Sequence, residues 1–193
     1  VDVQWNPATY AFVWGQDKTL TANDGDSVAR WRIKVPTTAG TYTIKLKDES
    51  VDGPNIVRPL DDKAADIPFV FYGIAITVSD TEETTTTEAT TTTTATTDPN
   101  AVKPDTPAGT VEYNLIPRTG DYGFNGVNNT ITVAPGEALK IDWTVKNDPG
   151  TAGMQMHFDM SAFSDIKQLS GSAYDVDVQW NPATYAFVWG QDK

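Results

Sequence analysis

Apolar and polar residues alternate along much of this chain. Trp31, Ile33 and Val35 interleave with Arg30, Arg32 and Lys34, and Tyr42, Ile44 and Leu46 interleave with Thr43, Lys45 and Lys47. A two-residue period sends successive side chains to opposite faces of a strand, so each run predicts a strand with one apolar face turned inward. The same pattern returns in GTVEYNLIP (109–117), where Val111, Tyr113 and Leu115 share a face. Ile131–Val133 and Leu139–Val145 predict two strands joined by a turn at Ala134-Pro135-Gly136-Glu137. In GMQMHFDMSAF (153–163), Met154, Met156 and Phe158 face one way, and Gln155, His157 and Asp159 the other. FVFYGIAITV (69–78) is nearly all apolar, which predicts a strand covered on both faces and central to the fold.

Between these runs lie turn signals at Asn23-Asp24-Gly25-Asp26, Pro36–Gly40 and Asn147-Asp148-Pro149-Gly150. Residues 48–68, with Asp61, Asp62 and Asp66, read as a long solvated excursion, residues 118–129 as loop, and residues 161–172 as holding a short helical turn. No stretch of helical length keeps a 3.6-residue apolar period. About nine short strands separated by turns predict an all-β, nine-stranded jelly-roll β-sandwich.

One stretch occurs twice. VDVQWNPATYAFVWGQDK runs from Val1 to Lys18 and again, letter for letter, from Val176 to Lys193. Val176, Val178 and Trp180 share one parity, and Tyr185, Phe187 and Trp189 another, on either side of Asn181-Pro182. Each copy is therefore predicted to be a β-hairpin. Repetition at the two ends suggests a chain cut through a tandem module, so that its halves stand in permuted order.

A Thr-rich tract supports that division, with 12 Thr in the 17 positions from Thr81 to Thr97. Such a composition cannot bury apolar surface, and the proline-bearing residues 98–107 continue it, so residues 80–108 read as linker. The expected organisation is residues 1–79 as the C-terminal half of a module, 80–108 as linker, and 109–193 as the N-terminal half. Either half alone would make a marginal core with open strand edges, so the two are expected to complete one domain. A linker of this length has an r.m.s. span of roughly 30 Å, enough to close the domain on itself. Two hairpin copies would then compete for one place in the sheet, or be swapped between chains in a domain-swapped self-association.

The net charge is −12, with 14 Lys and Arg against 26 Asp and Glu. That balance argues against nucleic acid and anionic membrane surfaces as partners, because phosphate binding needs clustered cations. No apolar run is long enough to span a bilayer. The start without Met and without a signal peptide leads us to expect an excised piece of a longer protein. The Thr-rich spacer suits an extracellular modular protein better than a cytosolic enzyme.

Candidate chemistry is sparse. Asp24-Gly25-Asp26 invites a calcium loop, but the acidic ligand expected five residues before the glycine is replaced by Leu20, and a turn is the better reading. His157 is the one histidine and falls mid-strand, there is no G-x-S-x-G elbow, and the absence of cysteine removes thiolate ligands and nucleophiles. Asp142, Asp159, Asp175 and Asp177 show no spacing that pairs them as glycosidase carboxylates. No catalytic residues, metal ligands or cofactor are assigned, and the expectation is a non-enzyme. A carbohydrate-binding β-sandwich of a plant-cell-wall-degrading system is the alternative, since six Trp could supply platforms, but most fall on inward parities.

At GMQMHFDMSAF and the repeated hairpin the chain resembles the cohesin modules of cellulosomal scaffoldins, the non-catalytic proteins that gather cell-wall-degrading enzymes. The resemblance covers everything outside the linker, in permuted order: from Gly109 through one hairpin copy, then Thr19 to Val78. It implies a nine-stranded jelly roll whose third, fifth, sixth and eighth strands form a face for a dockerin, a small helical module that carries its own calcium. It implies dockerin contacts at Gln155, His157 and Asp159 of the third strand. On the hairpin it implies Asp177, Gln179, Ala186, Val188 and Gly190, or equivalently Asp2, Gln4, Ala11, Val13 and Gly15. His157 departs from the Asn common in the family. The eighth strand is expected somewhere between Thr41 and Arg58.

Overall fold

The computed structural model describes residues 4–6, 11–13, 19–47, 57–63, 65–80, 101–170, 177–181 and 186–190. Among them there is no helix. The strands in chain order are β1 (Gln4–Asn6), β2 (Ala11–Val13), β3 (Ser27–Lys34), β4 (Gly40–Leu46), β5 (Val57–Leu60), β6 (Phe69–Tyr72), β7 (Ile74–Val78) and β8 (Val111–Pro117). After these come β9 (Gly123–Phe124), β10 (Asn129–Val133), β11 (Ala138–Lys146), β12 (Gly153–Asp159), β13 (Ser164–Ser170), β14 (Asp177–Asn181) and β15 (Ala186–Gly190).

Two mixed sheets pack face to face as a sandwich. One has the order β13-β3-β11-β8-β6, and the other β14-β15-β12-β4-β7-β10-β9, with β5 also pairing β12. Both take strands from either side of residues 81–100, so neither sheet is built by one half of the chain. Alternation explains the packing. On β3, Trp31 and Ile33 are buried while Arg32 and Lys34 are exposed, and on β12, Met154, Met156 and Phe158 are buried. The centre is aromatic: Trp143 lies parallel to Trp31 at 6.1 Å between ring centroids and meets Tyr113 and Phe158 edge-on at 5.5 and 5.4 Å. Phe158 comes from the opposite sheet, so this cluster joins the two layers.

The apolar run 69–78 is not one central strand. It divides at Gly73: β6 pairs in parallel with β8 at the edge of the five-stranded sheet, while β7 pairs with β4 and, in parallel, with β10 in the other. β7 lies between β4 and β10 inside the larger sheet and is buried at four of its five positions, whereas β6 is half-buried at the edge of the smaller one, so only the second half of the run meets the expectation of a covered, central strand. The crossing requires glycine, because a Cβ there would fall on the Ile44 carbonyl oxygen and 2.8 Å from Asn128 Oδ1.

Two further expectations are corrected. Residues 161–172 contain no helical turn among those described; Ser164–Ser170 is the strand β13 on the free edge of β3. Its register with β3 shifts twice, and Asp165 has φ 49°, so bulges erase the alternation that would have marked it as a strand. The excursion 48–68 also contains a strand, β5, whose Val57 and Leu60 pair with Gln155 and Gly153. The acidic group in that excursion is local turn structure at its centre, where Asp61 Oδ1 accepts from the Lys63 and Ala65 amides at 2.9 and 2.8 Å.

Candidate recognition face

The two hairpin copies share one internal register. Gln4, Trp5 and Asn6 oppose Val13, Phe12 and Ala11, and Gln179, Trp180 and Asn181 oppose Val188, Phe187 and Ala186. They differ in what surrounds them. β15 pairs with β12 from Met154↔Trp189 to His157↔Ala186, whereas β1 and β2 form a two-stranded sheet of their own. The second copy therefore fills the place in the sandwich.

Register sets the composition of the face. Gln179, Val188 and Gln155 form one cross-strand row, and Asn181, Ala186 and His157 the next. Asp177 opposes Gly190 at the end of the hairpin. These rows have the parity of His157, which is half-buried, and alternate with Met154 and Met156 at 3% and 0% exposure. Asp159 continues the parity opposite Lys45 on β4 and accepts a hydrogen bond from Ser161 Oγ at 3.1 Å. The Lys47 amide donates to the His157 carbonyl at 3.0 Å, tying β4 to β12. Gln155, His157, Asp159, Asp177, Gln179, Ala186, Val188 and Gly190 are thus brought together on three adjoining strands. Gln4, Ala11 and Val13 lie on β1 and β2, apart from β12, and Asp2 and Gly15 fall outside the described residues.

Sequence reasoning missed Asn181, Lys45 and Val57, which share these rows. Asn181 was absorbed into the Asn-Pro turn, although its place two residues after Gln179 gives it the same parity. Lys45 already stood out as a polar member of an alternating run. Val57 had no periodic neighbours to reveal it.

The outer face of the other sheet is different in kind. Arg32 is flanked directly by Lys140 on β11 and Lys167 on β13, a row of three exposed cations. Next to it, Asp142 holds Arg30 through two hydrogen bonds of 2.5 and 3.0 Å. On β8, Lys103 and Thr106 both donate to Glu112, Lys103 also donates to Asn114, and Asn114 Nδ2 donates to Glu112 Oε1 at 2.8 Å. Lys103 Nζ lies 4.5 Å from the centroid of the Tyr72 ring. Residues close to the Thr-rich tract are in this way fastened to the sandwich.

Burial by itself would push the Glu112 carboxyl up, but hydrogen bonds from Lys103, Thr106 and Asn114, with the Lys103 charge, outweigh it and hold the group below the usual carboxylate range. A depressed carboxyl stabilises the fold above its unfolded-state pKa, and that contribution is lost as pH falls through the folded-state value. Acid titration of stability should therefore show a limb below about pH 4.5 that Glu112→Gln flattens. Chemical denaturation at a series of pH values measures it, and an unchanged limb in the variant would contradict the assignment.

Among the described residues no group of three His, Asp or Glu side chains is placed to hold a metal ion, and no helix is long and apolar enough to cross a membrane. No family model matches the chain, and no curated protein or solved structure matches it either.

Proposed function

We propose that this chain is a cohesin-like, non-catalytic module that binds a dockerin through the outer face of β14, β15, β12 and β4. The observation that carries the reading is the strand order. Counted from β8 in permuted order, with β9 and β10 left aside, β12 is third, β14 fifth, β15 sixth and β4 eighth. These four are contiguous in one sheet, in the order fifth, sixth, third, eighth. The resemblance demands that grouping, and strand alternation alone does not produce it. On the same reading, with β5 also left aside and β6 and β7 counted as two parts of one strand, the sandwich is a nine-stranded jelly roll, with residues 1–79 and 109–193 as its two halves.

The chemistry of the face suits a helical partner. By residue type and register, the small or aliphatic Ala186, Val188 and Gly190 share the rows of this face with the polar Gln155, His157, Asp159, Gln179 and Asn181, a mixture that suits a helix packed across it. The partner would bring its own calcium, and an extracellular multi-enzyme complex is the setting that the reading implies. Carbohydrate binding is the rival. Trp31 and Trp143 are both fully buried, so those two cannot serve as sugar platforms. Titrating the chain with dockerins in calcium, alongside retention on cellulose and xylan, separates the two. Binding to a dockerin without retention supports the proposal, and the reverse result replaces it with the rival.

A further inference from the structure

We propose that the sheet position beside β12 is degenerate: the first copy of the repeat takes the place of the second within the same chain, so that either copy builds the outer half of the face. The inference rests on the repeat and the backbone register, and holds whatever the face binds.

Three observations carry it. The copies are identical over 18 residues, so either offers β12 the same backbone and the same side chains. They already have the same internal pairing, so exchange needs no change of hairpin register. The first copy is also held within reach of the position. Leu20 exchanges two backbone hydrogen bonds with Thr151, at 3.0 and 2.8 Å, and Thr151 lies two residues ahead of β12. Transferring the β15 register to the first copy sets Trp14 opposite Met154, Val13 opposite Gln155 and Ala11 opposite His157. Gly15 would then stand beside Gly153, leaving residues 16–19 to join Leu20 at Thr151. Four residues span up to about 14 Å, so the connection is short but unstrained. A hairpin outside a larger sheet is marginal in water, so the copy left out gains nothing that opposes exchange. Because the contacts on β12 are the same in both states, only the connecting segments bias the equilibrium.

Cysteine trapping tests this in the full chain, which has no cysteine of its own. Directly opposed strand residues have Cα atoms within disulfide reach. Gln155→Cys is combined with Val188→Cys, with Val13→Cys, or with both, and bonds are identified by peptide mapping after equilibration in a thiol–disulfide buffer. With all three cysteines, intramolecular 13–155 and 155–188 bonds are expected in yields within about tenfold of each other, a difference of about 1.4 kcal/mol or less. Gln155→Cys with Gln4→Cys is the control, since Gln4 opposes Val13 and not β12 in either state; its bond should form at least tenfold less. Three results would overturn the inference: a 155–188 bond favoured more than a hundredfold, a 4–155 bond as abundant as 13–155, or a 13–155 bond found only between two chains. None of these depends on dockerin binding.

Discussion

Replacing Trp143 with Ala is expected to destabilise the fold by about 3–5 kcal/mol, the range for removing a large buried aromatic ring. Total stability for a domain of this kind is about 5–15 kcal/mol, so the variant would stand near the edge of folding. The expectation follows from position. Trp143 is fully buried, lies parallel to Trp31, and meets Tyr113 from its own sheet and Phe158 from the other. Ala in its place would leave a cavity bounded by three rings that cannot all move inward together. Denaturant titration measures the effect as a fall in midpoint at unchanged slope. A loss below about 1 kcal/mol would mean that the layers are not joined through this ring.

The second large effect concerns recognition. On the proposed reading, introducing Arg at both Ala11 and Ala186 is expected to weaken dockerin binding at least a hundredfold, about 3 kcal/mol or more, on the scale of a strong hot spot. Ala186 stands in the row with Asn181 and His157, where a long charged side chain would hold an approaching helix away. Ala186→Arg alone should cost only about twofold to tenfold if the first copy replaces the second, because roughly a tenth to a half of the molecules keep an unaltered face. A single variant as weak as the double would leave the binding reading intact and remove the exchange. Arg32→Glu, on the basic outer face of the other sheet, should leave affinity within about twofold, since rim and remote positions contribute little. Calorimetric titration of the variants with one dockerin supplies every arm of this comparison.

Much of the fold was legible because period two survives wherever one face of a strand is covered and the other wet. Trp31 and Ile33, Val111 to Leu115, and Met154 to Phe158 all turned inward as their alternation predicted. What was illegible depended on partners distant in sequence. Nothing local in FVFYGIAITV says that Gly73 crosses between layers, since the reason is the Ile44 carbonyl and Asn128 lying against it. Ser164–Ser170 lost its alternation to bulges and so resembled a turn. Glu112 and Asn114 sit at outward positions of β8 yet are buried, because Lys103 and Thr106 lie over them. Composition had marked those last two residues as linker.

The candidate face divides along the same line. Parity alone placed Gln155, His157 and Asp159 on one side of β12, and Gln179 with Val188 on one side of the hairpin. That these sets adjoin is a matter of register between β12 and β15, which no local pattern contains. Nor could any pattern choose between two identical hairpins. What distinguishes them is their pairing: β15 lies beside β12, and β2 pairs only with β1.

The most direct test of the central claim is a titration of the intact chain with dockerins in calcium, repeated with Asp159→Ala and with the Ala11→Arg, Ala186→Arg double variant. The account predicts saturable one-to-one binding to at least one dockerin, weakened about tenfold or more by the first change and a hundredfold by the second. A folded chain that binds no dockerin, or one whose binding is indifferent to both changes, would contradict it.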